Sequence, residues 1–272
     1  MKVRHQQVAG YFYPDDREKL QQDINLLLNV AKQEKSFDRI FGIVSPHAGY
    51  VYSGKTAAYV YNLIKNKTYK TVIIISPSHA EYFPGISIFD GDAYETPLGL
   101  VEIDNNMAEI LLSNSRMIFR GIQGHRREHA LEVQIPFLQS VLKNFKIVPI
   151  VMGDQSKMFV DHLAEKIAMA AGEDTLVVAS SDMSHFYDSS EADRLDSVVE
   201  QRVNDFDFEQ LLKDLDDHEC EACGGGPIAV MMKAASLKNI NKSLVIHRSD
   251  SGDVTGDKSE VVGYLSAVVF QD

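Results

Sequence analysis

Three strongly apolar runs in this chain each break into a short polar turn that carries a histidine. Phe41-Gly-Ile-Val-Ser-Pro leads to His47, Val72-Ile-Ile-Ile-Ser-Pro-Ser to His79, and Leu176-Val-Val-Ala-Ser-Ser-Asp-Met-Ser to His185. Apolar runs of this length bounded by turn residues are the pattern of strands buried on both faces. Such strands need helices above and below them, which constrains the chain to an α/β class. In open α/β sheets ligands bind beyond the carboxyl ends of the strands. Three imidazoles at three such ends can therefore meet at one point, as a metal site or an acid/base centre would require.

The remaining segments fill in the same architecture. Asp16 is placed to cap a helix carrying Leu20, Ile24, Leu27 and Leu28 at helical spacing. A helix is expected after His47, from Gly54 onward. Gly85-Ile-Ser-Ile-Phe reads as a short strand and Tyr94-Glu-Thr-Pro-Leu-Gly as a loop. Helices are expected near 104–113, 129–142, 156–171 and 190–215. A further helix opens at Pro227, and strands follow near 243–248 and 260–270. The expectation is a mixed or parallel central sheet with helices on both faces, in a single domain spanning 1–272.

Bulk properties exclude several function classes. The 272 residues carry a formal net charge of -12, and the 27 lysines and arginines are dispersed. A broad basic face for nucleic acid or anionic membrane is therefore not expected. No apolar run approaches the ~18 residues of a membrane-spanning helix, and the polar start Met1-Lys-Val-Arg-His has no leader pattern. With Cys220 and Cys223 as its two cysteines, the chain is not a disulfide scaffold. The expected location is the cytoplasm.

Candidate chemistry centres on a few residues. His47 and His79 sit in matching contexts, each behind a Ser-Pro whose ring stiffens the turn. Two histidines and one anionic ligand form the pattern of open non-haem sites. Cys223 precedes three glycines and Pro227 at a helix start, where the dipole and free N–H groups favour a thiolate. It reads as metal ligand or nucleophile, or as a small residue packed behind a glycine turn. Its C-x-x-C with Cys220 lacks the second pair of a structural zinc site. Asp182 and His185 are candidates for general acid/base work at a strand end. Glu128-His129 and Glu132 read equally well as acidic residues at a helix start. His5, His125, His162, His218 and His247 read as structural or solvated.

Taken in order, seven motifs resemble the Memo family over nearly the whole chain. They are Gly10-Tyr-Phe-Tyr-Pro, Pro46-His-Ala-Gly-Tyr-Val-Tyr-Ser-Gly, Ser76-Pro-Ser-His, Thr96-Pro-Leu-Gly, Glu128-His-Ala-Leu-Glu-Val-Gln-Ile-Pro-Phe-Leu, Ser180-Ser-Asp-Met-Ser-His and Ala222-Cys-Gly-Gly-Gly-Pro-Ile. That resemblance implies a fold like that of the class III extradiol dioxygenases. It places His47 and His79 as metal ligands and His185 as the acid/base histidine. Cys223 falls where the dioxygenases have a carboxylate. Sulfur in place of oxygen favours copper, zinc or thiolate-ligated iron. The implied cofactor is a divalent or redox metal ion, iron or copper before zinc. The substrate, a small molecule or a peptide, is left unnamed.

Two other readings stand beside the metal-dependent oxidoreductase. One is a peptide- or phosphopeptide-binding module, using donors at the helix start from Gly224 to Pro227. The other is a metal carrier without turnover. The resemblance also implies radical-SAM and AMMECR-type proteins as pathway partners.

Overall fold

The computed structural model describes residues 1–32 and 35–271. The elements run β1 (Val3–Arg4), α1 (Arg17–Val30), β2 (Arg39–Ser45), α2 (Tyr50–Ile64), β3 (Thr71–Pro77), β4 (Ile86–Phe89), β5 (Ala93–Thr96), β6 (Gly99–Glu102), α3 (Asn105–Leu112) and β7 (Ile118–Gly121). They continue with α4 (Gln134–Val141), β8 (Lys146–Met152), α5 (Lys157–Ala170), β9 (Thr175–Ser180), β10 (His185–Tyr187), α6 (Ser189–Asn204), α7 (Phe208–Asp216), α8 (Gly225–Ser236), β11 (Lys242–Asp250), α9 (Gly252–Thr255) and β12 (Val261–Gln271).

The main sheet has the order β10-β12-β2-β9-β3-β8-β4-β7, with β11 also pairing to β12. Its centre, β2-β9-β3-β8, is parallel, and β12 and β4 flank it antiparallel. This is the expected mixed α/β architecture. The central strands are apolar through their middles because successive residues enter two different cores. Ile73 and Ile75 of β3 pack into the core under α3, α5, α6, α7 and α8. Val72 and Ile74 pack into the opposite core, under α1, α2 and α4. Asp16 caps α1 as expected, accepting from the Lys19 amide at 2.8 Å. No helix among the described residues is long and apolar enough to cross a membrane.

The strand order sets the place of the site. The chain leaves β2 into α2 on one face, while the neighbouring β9 leads to α6 on the other. Adjacent strands whose connections part in this way leave a crevice between their carboxyl ends.

Three expectations need correction. Tyr94 to Gly99 is not a loop but the hairpin β5–β6, closed by the two-residue turn Pro97-Leu98 and joined by β1 in a small second sheet. The proline reads as a breaker, yet it occupies the turn and leaves the flanking pairs intact. The helix expected from His129 begins at Gln134. Pro136 explains this: a proline ring clashes with the carbonyl four residues back and so belongs in a first turn. The region 190–215 is two helices, broken where Phe206 takes φ 57° and Asp207 caps α7.

Candidate metal centre

Three parallel strands deliver three side chains at the same offset. His47 lies two residues beyond β2, His79 two beyond β3, and Asp182 two beyond β9. Cys223 comes from the turn before α8. That turn lies tight against β9, because a Cβ on Gly224 would stand 2.1 Å from the Ser180 carbonyl oxygen. Glycine is therefore required there by contact. The Cys223 amide donates to the Asp182 carbonyl at 3.2 Å, and the Asp182 amide donates to Cys223 Sγ at 3.2 Å.

These constraints bring His47, His79 and Cys223 together. One donor atom from each lies within 4.8 Å of the others, a spacing at which one metal ion can be held. His47 Nε2 is 3.2 Å from Cys223 Sγ and 3.9 Å from Asp182 Oδ2. The His47 amide donates to Asp182 Oδ1 at 2.7 Å. The donor set of two imidazoles and one sulfur suits copper, zinc or iron better than calcium or magnesium.

The electrostatics are those of a buried site. Burial, then the charge of His79, holds His47 well below the ordinary imidazole range. Burial raises the Asp182 carboxyl against the opposing His47 amide. Burial, then the Asp182 carboxylate, pushes the Cys223 thiol up. The helix start had pointed the other way, toward a ready thiolate. Desolvation outweighs the dipole here, so a cation at the sulfur is what would favour its anion.

Two residues read from sequence as helix-start features belong to this centre. Glu128 is buried, and its carboxylate accepts from His79 Nδ1 at 2.9 Å, the His79 amide at 2.6 Å and the Ala130 amide at 2.9 Å. Burial opposes the negative charge, but the His79 bonds overcome it and hold Glu128 down to about 2. Burial likewise opposes a charge on His79, and Glu128 overcomes it and raises the ring. With Nδ1 given to Glu128, His79 presents Nε2 to the crevice. His129 completes the ring cluster, 4.8 Å from His79 and 5.4 Å from His47 between centroids, with Phe12 on its other side at 4.8 Å. Burial, then His47, lowers it to about 4.

His79, Glu128 and His129 also lie within metal-holding distance of one another. Three N–H groups already occupy the Glu128 oxygens, so this trio is an orienting arm and not a second seat. The available signal was Pro136, which bars a helix from starting at His129 and so removes the capping role from Glu128.

The third expected imidazole, His185, opens β10 opposite Val262. It shares with Cys223 the wall of a cavity of about 560 Å³, beside Met183, Leu215 and Glu221. Cys220 lines the same cavity but is not one of the clustered donors: it is buried in the core under α8, and burial raises its thiol to about 12. His125 is structural, bonded to Tyr94 Oη at 2.7 Å and facing the Ser87 carbonyl at 3.2 Å.

The segment carrying Glu128 is itself tied to the chain start. Arg4 donates to the carbonyls of His125 and Glu128 and pairs with the buried Glu132 carboxylate. Glu132 also accepts from the Gln7 and Val8 amides and from Tyr13 Oη.

The Memo-like protein family profile matches residues 4–268. The chain belongs to the Memo family. A MEMO1 family protein of Thermoplasma volcanium is 40% identical over 267 residues, covering 98% of both chains. Those of Nitrosopumilus maritimus and Aquifex aeolicus are 37% and 38% identical and cover 98% and 99% of their own lengths. The Memo assignment thus covers every element that builds the crevice.

Proposed function

We propose that this Memo family protein holds one transition-metal ion between His47, His79 and Cys223 and serves redox or oxygenase-type chemistry on an organic substrate. The observation that carries the reading is the convergence of two imidazoles and one sulfur, from three separate elements, within 4.8 Å. Iron or copper is the first choice for a mixed nitrogen and thiolate set, and zinc the second. Bound there, such an ion would supply electron transfer or polarisation of the substrate.

The chain's own residues provide orientation and proton handling. Glu128 fixes the His79 ring, and Asp182 fixes the turn that carries His47. His185 would exchange a proton with a substrate atom, a role supported by its position in the wall of the cavity it shares with Cys223. Asp182, raised by burial, is the second proton-handling group, with Oδ2 toward His47 Nε2. The anion-binding alternative loses much of its support. The amides of Gly224, Gly225 and Gly226 are already given to Ser181 Oγ, the Ala222 carbonyl and Gln155 Oε1.

The test is metal content after anaerobic purification. Near-equimolar metal in the wild type, lost in His47→Ala and Cys223→Ser, is the expected result. Folded wild-type protein that rejects Fe(II), Cu(I) and Zn(II) alike would overturn the proposal.

A further inference from the structure

We infer that Ser180 is a positioning residue, which fixes the nitrogen that His47 presents to the crevice. His47 is 1% exposed, so its protonation pattern is set by protein groups and not by water. Its Nδ1 lies 2.9 Å from Ser180 Oγ. A hydroxyl has one proton and two lone pairs. The Ser180 proton is committed, because Oγ stands 2.7 Å from the Ala130 carbonyl, which can only accept. One lone pair is taken by Gln134 Nε2 at 2.8 Å.

The Gln134 amide is held in that orientation from both ends. Its Oε1 accepts from Tyr61 Oη at 2.7 Å, and its Nε2 also donates to the Pro46 carbonyl at 3.0 Å. Flipped, it would set oxygen against oxygen at Pro46. The free lone pair of Ser180 must therefore receive a proton from His47 Nδ1. The neutral ring then carries its hydrogen on Nδ1, and the Nε2 lone pair faces Cys223 Sγ.

The two rings are thus held by different chemistry. His79 is held by a carboxylate, which adds negative charge and strengthens the ring as a donor. His47 is held by a hydroxyl, which sets its orientation without adding a charge beside a ring that is itself buried. The tautomer is a property of the metal-free chain; its use in binding rests on the metal-centre reading.

The experiment is long-range 1H–15N correlation on full-length, metal-free protein labelled in histidine. Zn(II) affinity is measured by chelator competition on the same samples. Wild-type His47 is expected as the pure Nδ1–H tautomer. Ser180→Ala should give a mixture or the other tautomer and weaken zinc binding by about 10- to 100-fold. Ser180→Thr, which keeps the hydroxyl, should restore the Nδ1–H form. An Nε2–H tautomer in the wild type, or an unchanged Nδ1–H in Ser180→Ala, overturns the inference. The wild-type arm needs no variant to fold. The expected tautomers in protein that binds none of Zn(II), Fe(II) and Cu(I) would leave Ser180's role intact and sink the metal reading alone.

Discussion

Replacing Glu128 by Gln keeps the volume of a buried side chain and removes its charge. The carboxylate answers three N–H donors with two oxygens: His79 Nδ1 and the Ala130 amide at one, the His79 amide at the other. Whichever oxygen becomes NH2, it faces at least one donor. The less costly orientation turns NH2 toward the His79 amide and leaves that buried N–H unpaired, a loss of about 1–3 kcal/mol. The bonds that survive are neutral and weaker by about 1 kcal/mol. A total of about 2–4 kcal/mol corresponds to a fall in Tm on the order of 5–15 °C. His79 also loses the partner that raises it, so burial should carry its pKa below 6.5. In the wild type, that raised pKa contributes stability present below 6.5 and lost as pH rises through the folded value; in the variant this contribution is absent. Metal affinity should fall about 10- to 100-fold, as for other ligands deprived of their orienting carboxylate. Thermal melts, a histidine NMR titration and metal competition measure the three effects. Glu128→Gln with an unchanged His79 titration and wild-type affinity would refute the argument.

The protein should lose stability on mild acidification. Burial holds His125 at about 3 and His129 at about 4, below the ordinary 6.5, so the unfolded chain binds more protons through that window. Stability therefore falls as pH drops from 6.5, with His125 alone contributing on the order of 5 kcal/mol by full protonation; urea midpoints against pH should flatten in His125→Gln. Gly224→Ala should push the Cys223 turn off β9 and weaken metal binding more than tenfold while circular dichroism stays native, since its methyl would meet the Ser180 carbonyl at 2.1 Å. Cys220→Ala should leave metal content unchanged by mass spectrometry, because that sulfur packs in the core and takes no part in the cluster.

The parts of the fold legible in the sequence are those governed by two-sided burial. Strands β2, β3 and β9 each have an apolar middle because both of their faces are covered, and the polar break at the end of each marks its carboxyl end. His47, His79 and Cys223 were legible for the same reason: their place followed from strand ends and a glycine turn. The β5–β6 hairpin was obscured by Pro97. Glu128 and His129 were obscured by a local alternative, since acidic residues before an apolar helix usually serve that helix. Ser180 and Gln134 had no local signal, because what they do depends on partners 46 to 133 positions away.

The stretch from Glu128 to Gln134 reaches both imidazoles: one through the Glu128 carboxylate, the other through the Ala130 carbonyl and the Gln134 amide acting on Ser180. A shift of this stretch would turn the two rings in concert, as a single bracket carrying two arms. Arg4 and the amides of Gln7 and Val8 bolt that bracket to the first residues of the chain. Trimming or tagging the amino terminus would then detune a pocket assembled from residues far along the sequence.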